Sequence, residues 1–249
     1  MMNIDFSLRL NSLELGTFWK LKAPVNGYQY HLGDTLSTQV AAGRCFKVLH
    51  VGDLEADISK TFLRIKVLLL EDGYKCWLSV LDLLGNVLPT KPVSPILFSR
   101  DQIKQYLPEV LNWVENSSKR SNKYLWGGTI GPDFDCSGLV QTAFSHKGIW
   151  LPRDAYQQEQ FCKKIEICLD NTSDLQSGDL LFFGTKEKCT HVAIYIGKGF
   201  YWHSSGSQNG LNGIGVNRIN GKDYVSSYYR ALFRSAGRVM SCHDGSELN

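Results

Sequence analysis

The 249 residues predict an α+β protein in two parts, and three observations carry that reading. Pro89, Pro92 and Pro95 fall close together and mark a linker. Before them the chain offers short runs of β-formers, which suit a small β-barrel. After them it offers apolar stripes at helical spacing, followed by a strand-rich stretch. The expected organisation is a β-barrel domain over 1–90, a linker over 91–100, a mixed domain over 101–240 and a polar, frayed tail over 241–249.

In the first part, Phe18–Leu21 and residues 38–40, 62–70 and 74–80 read as strands, with Asp72-Gly73 as the hairpin turn between the last two. In the second, Ser99 and Gln102 form a capping box ahead of an apolar stripe made by Ile103, Leu107, Val110, Leu111 and Val114. Pro108 is expected to split that stripe into two short helices, since proline suits a first turn and not an interior. Residues 116–123 are a polar loop. Gly131-Pro132-Asp133 is a turn signal, and Leu139, Val140, Ala143 and Phe144 then recur at helical spacing, with Gly148 as the stop. From 179 to about 234 the chain is strand-rich, ending in Tyr229-Arg230-Ala231-Leu232-Phe233.

Cys136 therefore falls in the first turn of a helix, where unpaired backbone N–H groups favour a thiolate and can also hold an oxyanion. The competing reading is a small buried hydrophobe, one of seven cysteines. In His191-Val192-Ala193-Ile194-Tyr195-Ile196 the β-formers alternate, so His191, Ala193 and Tyr195 share a face. With Gly197-Lys198-Gly199 as a three-residue loop, Ile196 faces Phe200, and His203 falls opposite Ala193, diagonal to His191 on the same face. Cys, His and His can also hold zinc, but the short paired spacing of a structural zinc site is missing, and a thiol dyad is the more economical reading.

Tyr124-Leu125-Trp126-Gly127-Gly128, Asp135-Cys136-Ser137-Gly138, Leu175-Gln176-Ser177-Gly178-Asp179-Leu180, His191 to Gly197 and then His203 follow one another in an order and spacing that resembles the NlpC family of cell-wall cysteine peptidases, over about residues 101–238. The resemblance implies a papain-like fold, with the cysteine helix packed on an antiparallel sheet that bears the histidines. It implies hydrolysis within peptidoglycan stem peptides, commonly between γ-D-glutamate and a diamino acid such as meso-diaminopimelate. Cys136 would be the nucleophile, His191 its base and His203 the group that orients His191. Tyr124, Asp135 and Ser137 would line the pocket for the substrate's amino-terminal side, with Asp135 pairing with a free L-alanine ammonium. A helix cap is the alternative role for Asp135. Arg153 and Asp154 fall in a segment like the family's D-glutamate pocket; Arg153 would grip a carboxylate or else form a plain salt bridge. Ala155 departs from the serine often found there. A bacterial SH3-like domain commonly precedes the catalytic domain in this family. Gly73-Tyr74-Lys75-Cys76-Trp77-Leu78 is a weak match to its closing strands, and Glu71, Asp72 and Tyr74 are candidates to reach the site or are ordinary turn residues. The alternatives are a remodelling or septal hydrolase of intact peptidoglycan, an acyltransferase on the same fold, and a wall-binding module.

Composition bounds the partners. With 27 basic and 24 acidic residues, the net charge of +3 gives no electrostatic case for nucleic acid. No apolar run approaches the ~20 residues of a membrane span. Met1-Met2-Asn3-Ile4-Asp5 lacks the pattern of a conventional signal peptide, and an odd cysteine count suits a reducing compartment, so a cytoplasmic enzyme of wall recycling is expected. No cofactor and no metal are expected.

Overall fold

The computed structural model describes residues 13–51 and 63–247; Met1 to Asp5, residue 62 of the third expected strand, and Leu248 and Asn249 lie outside them. The chain forms two compact units, 1–95 together with 244–249, and 96–243.

The first unit is one antiparallel sheet. Its strands are β1 (Phe18–Leu21), β2 (Val25–Tyr28), β3 (Leu36–Val40), β4 (Cys45–Val51), β5 (Arg64–Leu69), β6 (Lys75–Ser79) and β7 (Val87–Pro89), in the order β3-β2-β6-β5-β4-β1-β7. Between β6 and β7 lies α1 (Val80–Leu83). Alternate residues Phe46, Val48, Ile65, Val67, Leu69 and Leu78 are fully buried, as period-two strands on a half-covered sheet require. The β5–β6 turn at Asp72-Gly73 forms as expected, with Gly73 in the left-handed region (φ 65°). β2 escaped the sequence reading because it is four residues long and contains Gly27. That glycine is needed, because a Cβ there would press on Thr38 Cγ2 and Cys76 Sγ at 2.8 and 2.9 Å. Glu71 and Asp72 are taken up inside this unit. Arg44, itself buried, meets Glu71 at 3.0 Å and Asp72 at 2.7 Å, and Glu71 also accepts the Cys45 N–H at 2.6 Å.

The second unit begins with α2 (Arg100–Ser118). Its predicted capping box is present: Ser99 N–H donates to Gln102 Oε1 at 2.8 Å, and Gln102 N–H to Ser99 Oγ at 3.4 Å. Pro108 does not split the helix as expected. It sits on the exposed face, while Ile103, Leu107, Val110 and Val114 bury the opposite stripe, and that burial outweighs one lost backbone hydrogen bond. Then follow α3 (Cys136–Ser145), α4 (Ala155–Phe161), β8 (Lys163–Ile165), β9 (Leu180–Gly184), β10 (Cys189–Gly197), β11 (Phe200–Ser205), β12 (Gly213–Arg218), α5 (Tyr224–Ala231) and β13 (Phe233–Arg238). Gly148 (φ 76°) stops α3 as predicted, with Ile149 N–H returning to Phe144 O at 3.2 Å.

The six strands pair antiparallel in the order β12-β11-β10-β9-β13-β8. One face, through Leu180, Phe182, Val192 and Ile194, shares a core with α2, α3 and α4. The other, through Leu181, Phe183, Ala193, Tyr195 and Tyr201, packs with Val225 and Tyr229 of α5. The expectation that strand structure runs through Tyr229 is corrected here. Asp223 caps the segment by accepting the Ser226 N–H at 2.9 Å, and Val225 and Tyr229, four apart, bury one helical face.

Residues 242–247 also differ from the frayed tail expected over 241–249. Cys242 and His243 are buried, His243 N–H donates to Trp150 O at 2.8 Å, and Glu247 pairs with Lys75 within the first unit. Among the described residues, no helix is long and apolar enough to cross a membrane.

Candidate active site

Cys136 is the first residue of α3, and Asp135 is its cap. The loop ahead of the helix is fixed on two sides. Residues 124 and 134 form a parallel bridge, Leu125 N–H donates to Phe134 O at 3.3 Å, and Asp135 N–H to Gly128 O at 3.2 Å. From the sheet, Ser204 Oγ of β11 donates to Phe134 O at 2.6 Å. Gly138 is required by this close fit, since a Cβ there would overlap the carbonyl oxygen of Gly128.

The thiol of Cys136 is buried against β10. Its Sγ lies 4.0 Å from Thr190 O, and the backbone N–H groups of Val192 and Ser137 act on it, so the sulfur faces the strand on both sides of His191 in sequence. Burial pushes the thiol up to about 12, the Asp135 charge adding to the rise and the two N–H groups and Arg153 opposing it.

His191 and His203 come together. His191 Nε2 and His203 Nδ1 are 2.8 Å apart, and His203 Nε2 lies 2.9 Å from Asn217 Oδ1. The register is the expected one, reached by a different turn. Ile194 pairs with Trp202 and Tyr195 with Tyr201, but Gly197, not Ile196, faces Phe200, with a bulge between Tyr195 and Gly197. Lys198 (φ 52°) and Gly199 (φ 82°) make a two-residue turn with both φ positive. A two-residue turn plus one bulged residue offsets the strands as a three-residue loop does, and both imidazoles keep one face. Burial lowers His191 well below its ordinary value, with the neighbouring His203 as second cause. Burial also pulls His203 down to about 4, against the Asn217 bond that raises it.

The remaining sequence candidates fall as follows. Asp135 is buried and accepts five hydrogen bonds: from Gly127 N–H (2.8 Å), Gly138 N–H (2.6 Å), Ser137 Oγ (3.3 Å) and both Arg153 Nη atoms (3.2 and 2.6 Å). Arg153, 1% exposed, spends its fork on Asp135 and on Ser137 Oγ at 3.0 Å. Asp154 heads α4, in a capping box with Gln157. Tyr124 is half-buried beside the thiol; burial raises its hydroxyl, and the Cys136, Asp135 and Tyr229 charges raise it further.

Three further residues shape the site and escaped the sequence reading. Gln158 of α4, fully buried, donates to Ser137 O at 3.1 Å and Pro152 O at 2.9 Å, tying α4 to the start of α3. Tyr229 of α5 stacks on His191, centroids 4.3 Å apart at 26°, and meets His203 edge-on at 4.9 Å. Asn217 had a signal in the sequence. It follows His203's cross-strand partner Gly215 by two residues in β12, on the same face.

The model of the NlpC/P60 family matches residues 121–234. The bifunctional muramidase/DL-endopeptidase CwlT of Bacillus subtilis is 35% identical over 154 residues, 60% of this chain and 40% of its own. The murein DD-endopeptidase MepS/murein LD-carboxypeptidase of Escherichia coli K12 is 32% identical over 120 residues, 48% of this chain and 56% of its own. A γ-D-glutamyl-L-lysine dipeptidyl-peptidase of Bacillus cereus is 32% identical over 167 residues, 64% of this chain and 43% of its own. The matches thus cover 40–56% of these relatives' lengths. Cys136, His191 and His203 all lie inside residues 121–234, the segment that the NlpC/P60 family model matches.

Proposed function

We propose that this chain is a cysteine endopeptidase that hydrolyses the bond between γ-D-glutamate and the diamino acid of peptidoglycan stem peptides. One observation carries the reading: a thiol at the first residue of a helix lies against the strand whose histidine is hydrogen-bonded to a second histidine. The relatives' own activities on cell-wall peptides support the substrate class. The catalytic unit is read as papain-like and the N-terminal sheet as an SH3-like module; cytoplasmic residence rests on the odd count of seven cysteines.

In this mechanism His191 takes the Cys136 proton as sulfur attacks the γ-glutamyl carbonyl carbon. The N–H groups of Cys136 and Ser137, which have no acceptor within the helix, stabilise the oxyanion. Collapse breaks the C–N bond, and the diamino-acid amine leaves with the proton from the His191 imidazolium. Water, giving its proton to His191, then attacks the thioester, and the acid departs as Cys136 regains its proton. His203 supports the imidazolium through the 2.8 Å contact.

The amino end of the substrate divides two readings. A recycling enzyme would read a free L-alanine ammonium through Asp135. Yet an ionised carboxylate has about four lone-pair sites, and Asp135 already accepts five hydrogen bonds. That engagement favours the second reading, an enzyme that also accepts muramoyl-blocked stems of the intact wall. Free L-Ala-γ-D-Glu-meso-diaminopimelate and the same peptide blocked by N-acetylmuramic acid, incubated with wild type and Cys136→Ala, separate them by mass spectrometry. Cysteine-dependent cleavage of both supports the second reading, and cleavage of the free peptide alone supports recycling. Cleavage of neither by folded, reduced protein refutes the proposed activity.

A further inference from the structure

We propose that Asn217 is a positioning residue that fixes the tautomer of both active-site histidines, through an amide whose orientation is set by the N-terminus of α5. The inference rests on the thiol–imidazole reading of the site and extends it by one link.

The chain of donors and acceptors runs in one direction. Asn217 Nδ2 lies 3.1 Å from Asp223 Oδ1 and 3.2 Å from Ser226 Oγ. The carboxylate of Asp223 accepts hydrogen bonds and donates none when ionised, and the same oxygen accepts the Ser226 N–H at 2.9 Å as the cap of α5. The NH₂ of Asn217 therefore faces Asp223, and its carbonyl oxygen is left to face His203 Nε2 at 2.9 Å. An amide oxygen only accepts, so His203 carries its proton on Nε2 and presents a bare Nδ1. That lone pair, 2.8 Å from His191 Nε2, takes the His191 proton there. The nitrogen left unprotonated on His191 is Nδ1, free to receive the proton of Cys136. When it does, the imidazolium still donates from Nε2 to His203, and no other proton has to move.

The same helix serves the pair at its other end, where Tyr229 stacks on the His191 ring and is held by Ser205 Oγ at 2.6 Å and Asn209 Nδ2 at 3.1 Å. Asn217 reaches His203 across a β11–β12 register that sets Gly215 opposite His203 and Asn217 opposite Tyr201.

The test reads the ring nitrogens directly. Long-range ¹H–¹⁵N spectra of the reduced full chain resolve the tautomers of its six histidines, with assignment by His191→Gln and His203→Gln. The expected result is Nε2–H on both His191 and His203 in wild type. In Asn217→Leu both become tautomer mixtures, and alkylation of Cys136 by iodoacetamide, followed by site-resolved mass spectrometry, slows at least about tenfold, within the ~10²–10⁴-fold worth of a positioned base. Asn217→Asp combined with Asp223→Asn, which keeps an acceptor facing His203 and a donor facing position 217, retains the wild-type tautomers and most of the reactivity. An Nδ1–H tautomer on His203 in wild type would overturn the proposal. So would wild-type tautomers in Asn217→Leu, or equal loss in both variants, which marks a merely structural residue. Neither readout uses a wall peptide, so a protein that shows the lock but cleaves no stem peptide refutes the proposed function and leaves the lock standing.

Discussion

Burial at the thiol and at the two imidazoles acts against charge on each of them. With the Cys136 thiol raised to about 12 and His191 held well below its ordinary value, the resting pair is a neutral thiol and a neutral imidazole, not a thiolate–imidazolium pair. Proton transfer then accompanies attack on the carbonyl. The expected signature is in the alkylation of Cys136 by iodoacetamide: its rate climbs continuously from pH 5 to pH 10, with no plateau beginning near pH 4–5. A low-pH plateau would contradict the neutral pair. A second expectation concerns the ion pair behind the thiol. Asp135→Asn keeps a capping side chain for α3 but replaces the carboxylate that the buried Arg153 guanidinium pairs with by a neutral amide. Urea unfolding should show a loss of about 3–5 kcal/mol, the usual cost of breaking a buried ion pair by removing one partner. Asp135 also shows what a sequence can convey about a site. Its place ahead of Cys136 marked it as cap or ligand, but the partner that occupies it, Arg153, lies 18 residues away and met it only through the fold.

At the scale of elements, local chemistry and long-range packing disagree at two places, and packing decides both. Proline at position 108 predicts a break, yet α2 runs through it because the apolar stripe on the buried side needs one continuous helix. Pro108→Ala restores the missing donor on an exposed face and should raise the thermal midpoint, the gain being about 1 kcal/mol or more once the unfolded-state entropy is subtracted. A lowered midpoint would show that the ring itself packs usefully. Tyr229 and its neighbours read as a strand from their β-forming side chains, and they fold as α5 because Asp223 caps them and Val225 and Tyr229 find one core. By contrast, the α3 start, its Gly148 stop and the His191–His203 face were legible, since each depends on spacing within a dozen residues. The need for Gly138 shows only in the fold: Gly138→Ala drives a methyl into the Gly128 carbonyl and should abolish cysteine reactivity together with native near-UV dichroism, because the loop that seats Cys136 cannot move away alone.

For the whole molecule, the buried histidines couple the site to stability. His191 and His203 both have folded values below the unfolded one. As pH falls below about 6.5, the unfolded chain binds protons that the folded chain refuses, so ΔG of unfolding falls on acidification. For His203 the window runs from 6.5 down to about 4, and the loss is on the order of a few kcal/mol. Chemical denaturation at pH 7.5, 6 and 5 should show it, with a shallower slope in His203→Gln; a pH-independent stability would contradict the buried neutral pair. The central claim, that Cys136 carries the acyl group, has a direct test. The reduced chain is mixed with L-Ala-γ-D-Glu-meso-diaminopimelate, quenched in acid within the first turnovers, digested and read by mass spectrometry. The account predicts an L-Ala-γ-D-Glu thioester on the peptide containing Cys136, lost in Cys136→Ala together with release of meso-diaminopimelate. Release of that product by Cys136→Ala at the wild-type rate would contradict it.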